Sequence, residues 1–360
     1  MLTTFSLQFE WIKRTLNFRF DAGTSRGILK TRVVYWIKAY DPNQPGRIGW
    51  GEAAPLVKLS LDDRPDFEQL LTQELSKIKE IKFETNSESI LRLIQVHVSP
   101  DLPSVRFGLE TAILDFFHGG EKRILPNSFF DESRPIPING LIWMGDAAFM
   151  ASQIEEKIEQ GFDCIKMKIG AIDFEQELAL LKSIRNRFSS EEMTLRVDAN
   201  GAFAPDEALA KLNELAKLDL HSIEQPISAG NIQEMNSLCR ASLLPIALDE
   251  ELIGVYHKGE LLDSISPQFI ILKPTLLGGI LETREWIRLA EERNIGWWMT
   301  SALESNVGLN AIAQLASSLQ PLLPQGLGTG KLFHNNLDSP LQIQGGQITY
   351  QKSKIWEVPA

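Results

Sequence analysis

The chain has 360 residues, of which 43% are hydrophobic and 23% are charged, and its formal net charge is −11. This length exceeds one typical small domain and fits a barrel with a smaller companion domain. The composition is that of a globular protein with a sizeable core. The negative charge argues against nucleic acid or an anionic membrane as the main partner. It does not exclude a small anionic substrate, because a bound cation can reverse the local field.

The two cysteines, Cys164 and Cys239, are too few for a disulfide framework and form no C-x-x-C pair. We therefore expect both to be reduced residues of the core. The first residues lack the basic segment and the long apolar run of a signal peptide. The apolar runs are also far shorter than the ~20 residues that span a bilayer. These features predict a cytoplasmic protein without a membrane partner.

The first third of the chain changes from a strand-like to a helical pattern. Residues 1–40 are rich in alternating aromatic and β-branched side chains, which predicts antiparallel strands. Polar or small-residue loops are expected at 21–27 and 49–55. Between residues 63 and 118, apolar side chains recur every three or four positions, as in helices. Strands followed by helices predict an α+β domain over residues 1–130.

Residues 131–334 alternate between short apolar runs and helical patterns. After a first strand at 135–142, six predicted strands centre on Ile165, Arg196, Ile223, Ala247, Ile271 and Trp298. A short eighth strand is expected at 326–330. This rhythm predicts a parallel sheet, and seven or eight such units close into a barrel. Residues 341–350 alternate around a Gly-Gly turn, which predicts a hairpin in a segment, 335–360, that returns to the first domain.

Three carboxylates, Asp198, Glu224 and Asp249, end successive predicted strands about 25 residues apart, the length of one strand, one helix and their loops. The carboxyl ends of parallel strands meet at one mouth, where barrel enzymes keep their catalytic residues. Three acids so close repel one another unless a cation lies among them. Oxygen ligands suit Mg²⁺ before Mn²⁺ or Ca²⁺. Each acid alone could equally be a helix cap, but three in step favour a metal site, with Asn200 as a nearby donor.

Two lysines, Lys166 and Lys168, lie two positions apart on one predicted strand, so both side chains point into the barrel. Buried ammonium groups are costly unless they meet anions, and the carboxylates of the next strands supply them. The repulsion between the two lysines, together with the charge of a nearby cation, would lower the pKa of one lysine and make that lysine a usable base. Lys273 ends a later strand across the mouth. A salt-bridged pair without a catalytic role is the alternative.

Other chemistries leave part of this pattern unexplained. None of the five histidines falls at the carboxyl end of a predicted strand, so a histidine base is not expected. An aldolase or decarboxylase with a Schiff-base lysine could use Lys168 or Lys273, but the three carboxylates would then have no purpose. A barrel kept only for binding or structure would not be expected to retain all three acids and all three lysines.

The order Lys-x-Lys, Asp, Glu, Asp, Lys resembles that of the muconate-lactonising subgroup of the enolase superfamily, which pairs a lysine or histidine base with Mg²⁺. Within the subgroup, the chain is most similar to the o-succinylbenzoate synthase family of menaquinone biosynthesis, over residues 106–110, 300–308 and 326–333. Dipeptide epimerases of the subgroup usually carry Asp-x-Asp at the eighth strand. This chain has Gly-Thr-Gly there, at 328–330, which counts against an epimerase.

The resemblance implies an α/β fold, with a modified (β/α)7β TIM-type barrel over residues 131–334. An N-terminal α+β capping domain, 1–130, would be completed by residues 335–360. The implied reaction is the dehydration, by syn elimination, of 2-succinyl-6-hydroxy-2,4-cyclohexadiene-1-carboxylate to o-succinylbenzoate. The alternative is an N-acylamino acid racemase or dipeptide epimerase of the same superfamily. The loops at 21–27 and 49–55 would close over the substrate.

The resemblance also assigns roles to the residues at the mouth. Lys168 would remove the proton α to the substrate carboxylate and then act as the acid, while Lys273 faces the other side of the ring as a cation. Lys166 would set the protonation state of its neighbour. Mg²⁺, or Mn²⁺ in its place, would be held by Asp198, Glu224 and Asp249. Ser301 and Asn200 are expected to contact the substrate, although a structural cap is an equal alternative for Ser301. The sequence does not determine the oligomeric state.

Overall fold

The structure is a computed structural model that describes residues 4–24 and 27–359. Its N-terminal part is built on a three-stranded antiparallel sheet. The sheet order follows the chain through β2 (Gln8–Thr24), β3 (Gly27–Tyr40) and β4 (Ile48–Ala53). A separate pair joins β1 (Thr4–Phe5) to β5 (Phe83–Glu84). The prediction of a loop at 49–55 is wrong over most of its length, because β4 occupies it.

Helices follow this sheet in the chain, and one of them is buried along nearly its whole length. The helices are α1 (Phe67–Ile78), α2 (Ser87–His97), α3 (Pro103–Phe117) and α4 (Ser128–Asp131). Helix α3 is the buried one, because β4 crosses directly over it. A Cβ atom on Gly49 would overlap the backbone of Ala112, and one on Gly51 would overlap that of Gly108. The small residues that resembled a loop therefore allow a close contact between a strand and a helix.

A curved sheet of seven parallel strands forms the second part of the chain. The predicted first strand is divided into β6 (Ile136–Pro137) and β7 (Gly140–Ile142). From β7 the sheet continues through β8 (Cys164–Lys168), β9 (Thr194–Asp198), β10 (Ser222–Glu224), β11 (Ile246–Leu248), β12 (Phe269–Leu272) and β13 (Gly296–Met299). The helices between and after them are α5 (Ala147–Glu159), α6 (Phe174–Arg185), α7 (Pro205–Ala216), α8 (Ile232–Ala241), α9 (Lys258–Ile265), α10 (Pro274–Leu277), α11 (Ile280–Glu291) and α12 (Asn306–Leu319).

A short segment joins the two edges of the curved sheet. Single bridges link Gln325 to Ile138 and Gly326 to Thr300, both in parallel orientation. The eighth strand predicted at 326–330 is reduced to these bridges, since Gly328–Lys331 forms a 3-10 helix. The predicted α/β barrel with an antiparallel capping region is thereby confirmed. The carboxyl ends of its strands face one mouth, as in barrel enzymes generally.

The strands of the barrel are buried on both faces, as parallel sheets usually are. Along β8, all five residues are buried. Ile165 and Met167 belong to the main hydrophobic core between sheet and helices, and Lys166 and Lys168, which alternate with them, lie on the opposite face. A small separate cluster of Ala247, Ile271 and Trp298 fills the barrel interior. Among the described residues, no helix is long and apolar enough to cross a membrane.

The C-terminal segment contacts both parts of the chain. Its hairpin, β14 (Leu341–Gln344) and β15 (Gln347–Tyr350), pairs with β6 at the start of the barrel region. Just before the hairpin, the side-chain amide of Asn335 donates to the carbonyl of Thr15 in β2. The segment therefore ties the first sheet to the barrel, while the predicted domain boundaries remain predictions.

Candidate active site

Six charged side chains from five neighbouring strands meet at the carboxyl end of the barrel. They are Lys166 and Lys168 of β8, Asp198 of β9, Glu224 of β10, Asp249 just after β11 and Lys273 just after β12. Five of them are at most 8% exposed, and only 11% of the Lys273 side chain is exposed. The structure thus brings together the acids and lysines whose spacing predicted a common mouth.

Asp198 is held by both lysines of the neighbouring strand. Its Oδ2 lies 3.0 Å from Lys166 Nζ and 2.9 Å from Lys168 Nζ. The parallel register places Lys168 directly beside Asp198 on β9. Burial raises the pKa of a carboxyl group, but the two lysine charges outweigh it and hold the pKa of Asp198 well below its ordinary value. Asp198 therefore remains a carboxylate.

Lys166 joins two of the three carboxylates. Its Nζ lies 2.6 Å from Glu224 Oε2, in addition to its contact with Asp198. Burial alone would lower the pKa of Lys166, but the charges of Asp198 and Glu224 raise it above the ordinary value. Repulsion between the lysines was expected from the sequence to lower a lysine pKa. Among the side chains of the protein, the attraction of the carboxylates for Lys166 is the larger effect. Lys166 is thus a fixed cation.

Lys168 lies at the wall of the mouth. Besides Asp198, its Nζ contacts Asn200 Oδ1 at 2.7 Å and lies 6.0 Å from the centre of the Trp143 ring. Asn200 has a φ of +44°, a left-handed conformation that asparagine tolerates better than most residues. Its Nδ2 donates to Glu250 Oε1 at 3.2 Å. This turn directs the amide oxygen of Asn200 towards Lys168.

Lys273 and Asp249 form the opposite side of the mouth. Lys273 Nζ contacts Asp249 Oδ2 closely and lies 3.9 Å from Glu224 Oε1. Burial lowers the pKa of Lys273, but the charges of Asp249 and Glu224 raise it above its ordinary value. Burial and the nearby charge of Glu250 raise the pKa of Asp249 well above the ordinary range, despite Lys273. This side of the mouth therefore carries more negative charge than its one lysine compensates.

The chemistry of the three acids fits a hard divalent cation. Asp198, Glu224 and Asp249 are buried at the ends of adjacent strands, and Glu224 Oε1 has no hydrogen-bond partner in the described part of the chain. Oxygen donors of this kind suit Mg²⁺. Within residues 4–24 and 27–359, no three acidic, histidine or cysteine side chains are already placed to hold one metal ion. The ammonium groups of Lys166 and Lys273 lie against these oxygens, so those contacts would have to give way to a cation.

A cavity of about 1190 Å³ opens onto this cluster. Its wall includes Lys166, Lys168, Asp198, Lys273 and the predicted substrate contacts Asn200 and Ser301. The capping region supplies Arg19 and Phe20 from β2, Leu29 from β3, and Leu56 and Lys58 from the turn after β4. The prediction of a loop at 21–27 is wrong for residues 21–24 and 27, which belong to β2 and β3, while Ser25 and Arg26 lie outside the described residues. Sequence reasoning missed Arg19 and Lys58, because neither belongs to a regular pattern.

Ser301 lines the cavity, but its hydroxyl is also engaged within the protein. It donates to Glu304 Oε2 at 2.5 Å and accepts a hydrogen bond from the Leu303 backbone N–H at 3.1 Å. The other oxygen of Glu304 accepts from the Thr275 hydroxyl at 2.5 Å. Glu304 is completely buried. Sequence reasoning did not identify Glu304 or Thr275, since neither ends a strand.

A parallel barrel with carboxylates and lysines at its mouth, closed by an antiparallel cap, defines the enolase class of enzymes. The protein-family model described as "Enolase C-terminal domain-like" matches residues 149–354. The o-succinylbenzoate synthase of Desulfotalea psychrophila is 44% identical, over 95% of this chain and 98% of that protein. The chain therefore belongs to the enolase superfamily and, within it, to the family of that synthase.

Solved structures agree with this placement. The crystal structure of MenC from Desulfotalea psychrophila LSv54 is 40% identical, with a TM-score of 0.84, and the match covers 96% of this chain and 99% of that one. A dipeptide epimerase from Enterococcus faecalis, solved with Mg and the dipeptide L-Leu-L-Tyr, is 18% identical. Its TM-score of 0.83, over 96% of this chain and 97% of that one, shows a shared fold.

Proposed function

We propose that the chain dehydrates 2-succinyl-6-hydroxy-2,4-cyclohexadiene-1-carboxylate to o-succinylbenzoate in menaquinone biosynthesis. The observation that carries the proposal is the placement of Lys168 and Lys273 on opposite sides of one carboxylate-rich cavity. Lys168 ends β8 and Lys273 follows β12, with three strands between these two in the curved sheet. The similarity over nearly the full length to a protein named for this reaction supports the same substrate.

Lys168 acts as the base and then as the acid. Its Nζ takes the proton from the ring carbon that bears the carboxylate, and the electrons of that C–H bond form the new C=C bond. The C–O bond to the ring hydroxyl breaks, and Lys168 returns the proton to this oxygen, so that water leaves. One residue can perform both transfers because a syn elimination places the proton and the hydroxyl on the same face. The contacts with Asp198 and Asn200 hold the Nζ atom at the cavity wall.

The carboxylates organise the charge on which the reaction depends. Asp198, Glu224 and Asp249 would hold Mg²⁺, the divalent metal typical of the superfamily. When bound, Mg²⁺ supplies Lewis-acid stabilisation of the charge that develops on the substrate carboxylate. Lys166 adds a second positive charge beside Asp198 and Glu224.

The remaining wall of the cavity binds and shields the ring. Lys273 presents a cation to the second face, where it attracts the electron-rich π system. Trp143 and Leu56 line the same cavity and exclude water from the ring. Arg19 and Lys58 of the capping region are cations that suit the second carboxylate, at the end of the succinyl group.

A second candidate is the racemisation of N-acylamino acids. Two lysines on opposite faces of an α-carbon could remove a proton from one face and deliver one to the other. Dipeptide epimerisation is less favoured, because residues 328–330 are Gly-Thr-Gly, where dipeptide epimerases of the subgroup usually carry Asp-x-Asp. The chain is 44% identical to the synthase of Desulfotalea psychrophila over 95% of its length, and this similarity favours dehydration.

The test follows the appearance of the aromatic product by ultraviolet absorbance, with purified protein and the cyclohexadiene substrate. We expect turnover that requires Mg²⁺, stops with EDTA and returns when Mg²⁺ is added in excess. Absence of the aromatic product in a folded, Mg²⁺-supplied preparation would exclude the proposed reaction.

A further inference from the structure

Lys273 is carried by a helix that is too short to be stable alone. Helix α10 spans only Pro274–Leu277 and is followed by Gly278 and Gly279, with φ values of +104° and +103°. Isolated helices of this length do not persist in water. The position of Lys273 must therefore depend on side chains that hold α10 from outside.

Two buried carboxylates provide this support at the two ends of α10. At the far end, Glu110 of α3 accepts a hydrogen bond from Gln95, which also donates to the carbonyl of Gly278 at 2.8 Å. At the end nearest Lys273, Glu304 Oε1 accepts the hydrogen bond from Thr275. The first support belongs to the capping region, whereas the second comes from the mouth of the barrel itself.

Glu304 connects two segments of the mouth. One oxygen binds Thr275, two residues after Lys273, and the other binds Ser301, which lines the cavity. These segments follow β12 and β13, so a single buried carboxylate sets their separation. Both hydrogen bonds are 2.5 Å long, and hydroxyl donors to a carboxylate are among the stronger neutral-to-charged contacts.

A cation of the capping region offsets the buried charge of Glu304. The Arg32 guanidinium of β3 is 2% exposed and donates to the carbonyls of Ala302 and Leu303 at 3.3 Å. Burial lowers the pKa of Arg32, and the negative charge of Glu304 makes the largest contribution in the opposite direction. A charge buried this deeply requires such compensation. The arrangement is therefore a built polar network and not a chance contact.

We propose that Glu304 is a positioning residue for the dehydration, which fixes Lys273 through Thr275 and fixes Ser301 directly. This inference rests on the proposed function, because it gives Lys273 its place beside the substrate ring. A misplacement of about 1 Å at such a group can cost up to about 10² in rate. When only the Thr275 contact is lost, the loss should appear in kcat, since Ser301 and the capping region keep their places in the cavity wall.

Thr275→Val removes the hydroxyl while it keeps the size of the side chain. We expect kcat to fall about tenfold, with KM changed less than about threefold. Thr275→Ser keeps the hydroxyl and should retain kcat within about twofold. Glu304→Gln should lower kcat about as much as Thr275→Val. The double variant should fall little further, because both changes act on the same hydrogen bond, which Glu304→Gln weakens and Thr275→Val removes.

Glu52→Gln is the matched control. Glu52 is equally buried and accepts hydrogen bonds from the backbone N–H groups of Ser305 and Gly308, next to the same loop, but not from Thr275 or Ser301. We expect Glu52→Gln to lower the Tm about as much as Glu304→Gln and to leave kcat within about twofold. Equal kcat losses in these two variants, or a wild-type kcat in Thr275→Val, would overturn the proposal.

Amide hydrogen exchange of the substrate-free protein separates this inference from the proposed function. We expect faster exchange of residues 275–278 in Thr275→Val and Glu304→Gln, and unchanged exchange there in Glu52→Gln. Unchanged exchange in the first two variants contradicts the positioning role, whatever the substrate. Faster exchange supports the positioning role even if the wild-type protein does not dehydrate the cyclohexadiene, a result that would count only against the proposed reaction.

Discussion

Buried carboxylates occupy two regions of this molecule and meet different partners in each. At the mouth of the barrel, Asp198 and Glu224 face the ammonium groups of lysines. Where the capping region meets the barrel, Glu52 and Glu110 face backbone N–H groups at the first turns of α12 and α11. A helix N-terminus offers hydrogen bonds and a partial positive charge, but less than the full charge of an ammonium group.

The pKa values follow from this difference. The lysines hold the pKa of Asp198 below its ordinary value, whereas burial raises that of Glu52 to about 7 and that of Glu110 to about 8. Asp249, where Glu250 adds to the negative charge, is the exception at the mouth. The comparison indicates that changes at the mouth alter activity, while changes at the interface alter stability.

Lys168→Ala should give the largest effect and should separate the two regions most clearly. Without the base, we expect the rate of dehydration to fall by about 10³ to 10⁴, because general acid and base steps are both lost. The Tm should change little, since the buried Asp198 keeps its contact with Lys166. The measurement is kcat beside a thermal unfolding curve. Retention of more than a few per cent of wild-type activity would exclude Lys168 as the base.

Removal of the metal or of one ligand should have the next largest effect. Loss of an outer-shell partner costs 10- to 100-fold, so Glu224→Gln or Asp198→Asn should cost at least about 100-fold in activity. EDTA should remove the activity of the wild-type protein, and excess Mg²⁺ should restore it there but not in the variants. Isothermal titration with Mg²⁺ checks binding directly. If the EDTA-treated protein is as active as the untreated one, the metal site is wrongly assigned.

Glu110→Gln should alter stability and leave kcat within about twofold. Glu110 reaches the far end of α10 through Gln95, and the contact of Glu304 with Thr275, nearest Lys273, stays in place. The pKa of Glu110 is raised from 4.5 to about 8 in the folded protein, so folding favours its protonated form. Its contribution is fully present below about pH 4.5 and is lost as the pH rises through about 8. Each unit of pKa difference corresponds to about 1.4 kcal/mol.

The corresponding measurement is denaturant unfolding of both proteins from pH 5 to pH 8.5. The free energy of unfolding should fall more steeply with pH in the wild type than in Glu110→Gln, which cannot titrate at this position. Parallel curves for the two proteins would show that Glu110 does not titrate in this range. A large loss of kcat in the variant would contradict the separation of the two regions.

Glu292→Ala should have the smallest effect, because its carboxylate belongs to neither region. Glu292 pairs with Arg288 on α11, and both side chains are 53% exposed. Exposed pairs of this spacing contribute about 0.3–0.5 kcal/mol. We expect a change of that size in the free energy of unfolding and an unchanged kcat. A loss above about 2 kcal/mol would show that burial is not what distinguishes the important carboxylates.

Local regularity explains what the sequence could predict. Lys166 and Lys168 were predicted to share a face because strands alternate with a period of two. Asp198, Glu224 and Asp249 were predicted to meet because the strand–helix repeat is nearly constant in length. Both rules need only neighbouring residues, and the structure brings all these side chains to one mouth, where their roles remain predictions.

Contacts between distant segments explain what the sequence could not predict. Glu52 binds Ser305, 253 positions away, and no local pattern indicates such a pair. Gly49 and Gly51 resembled loop residues, but β4 needs them because it lies against α3. The eighth strand was overestimated, since closure of the barrel needs only the bridges at Gln325 and Gly326.

The protein dehydrates the cyclohexadiene ring as its main reaction, in preference to racemising N-acylamino acids. The most direct measurement compares kcat/KM for the cyclohexadiene substrate with kcat/KM for an N-succinylamino acid on the same Mg²⁺-supplied sample. We predict the larger value for dehydration and the loss of both activities in Lys168→Ala. Efficient racemisation without formation of o-succinylbenzoate would contradict the account.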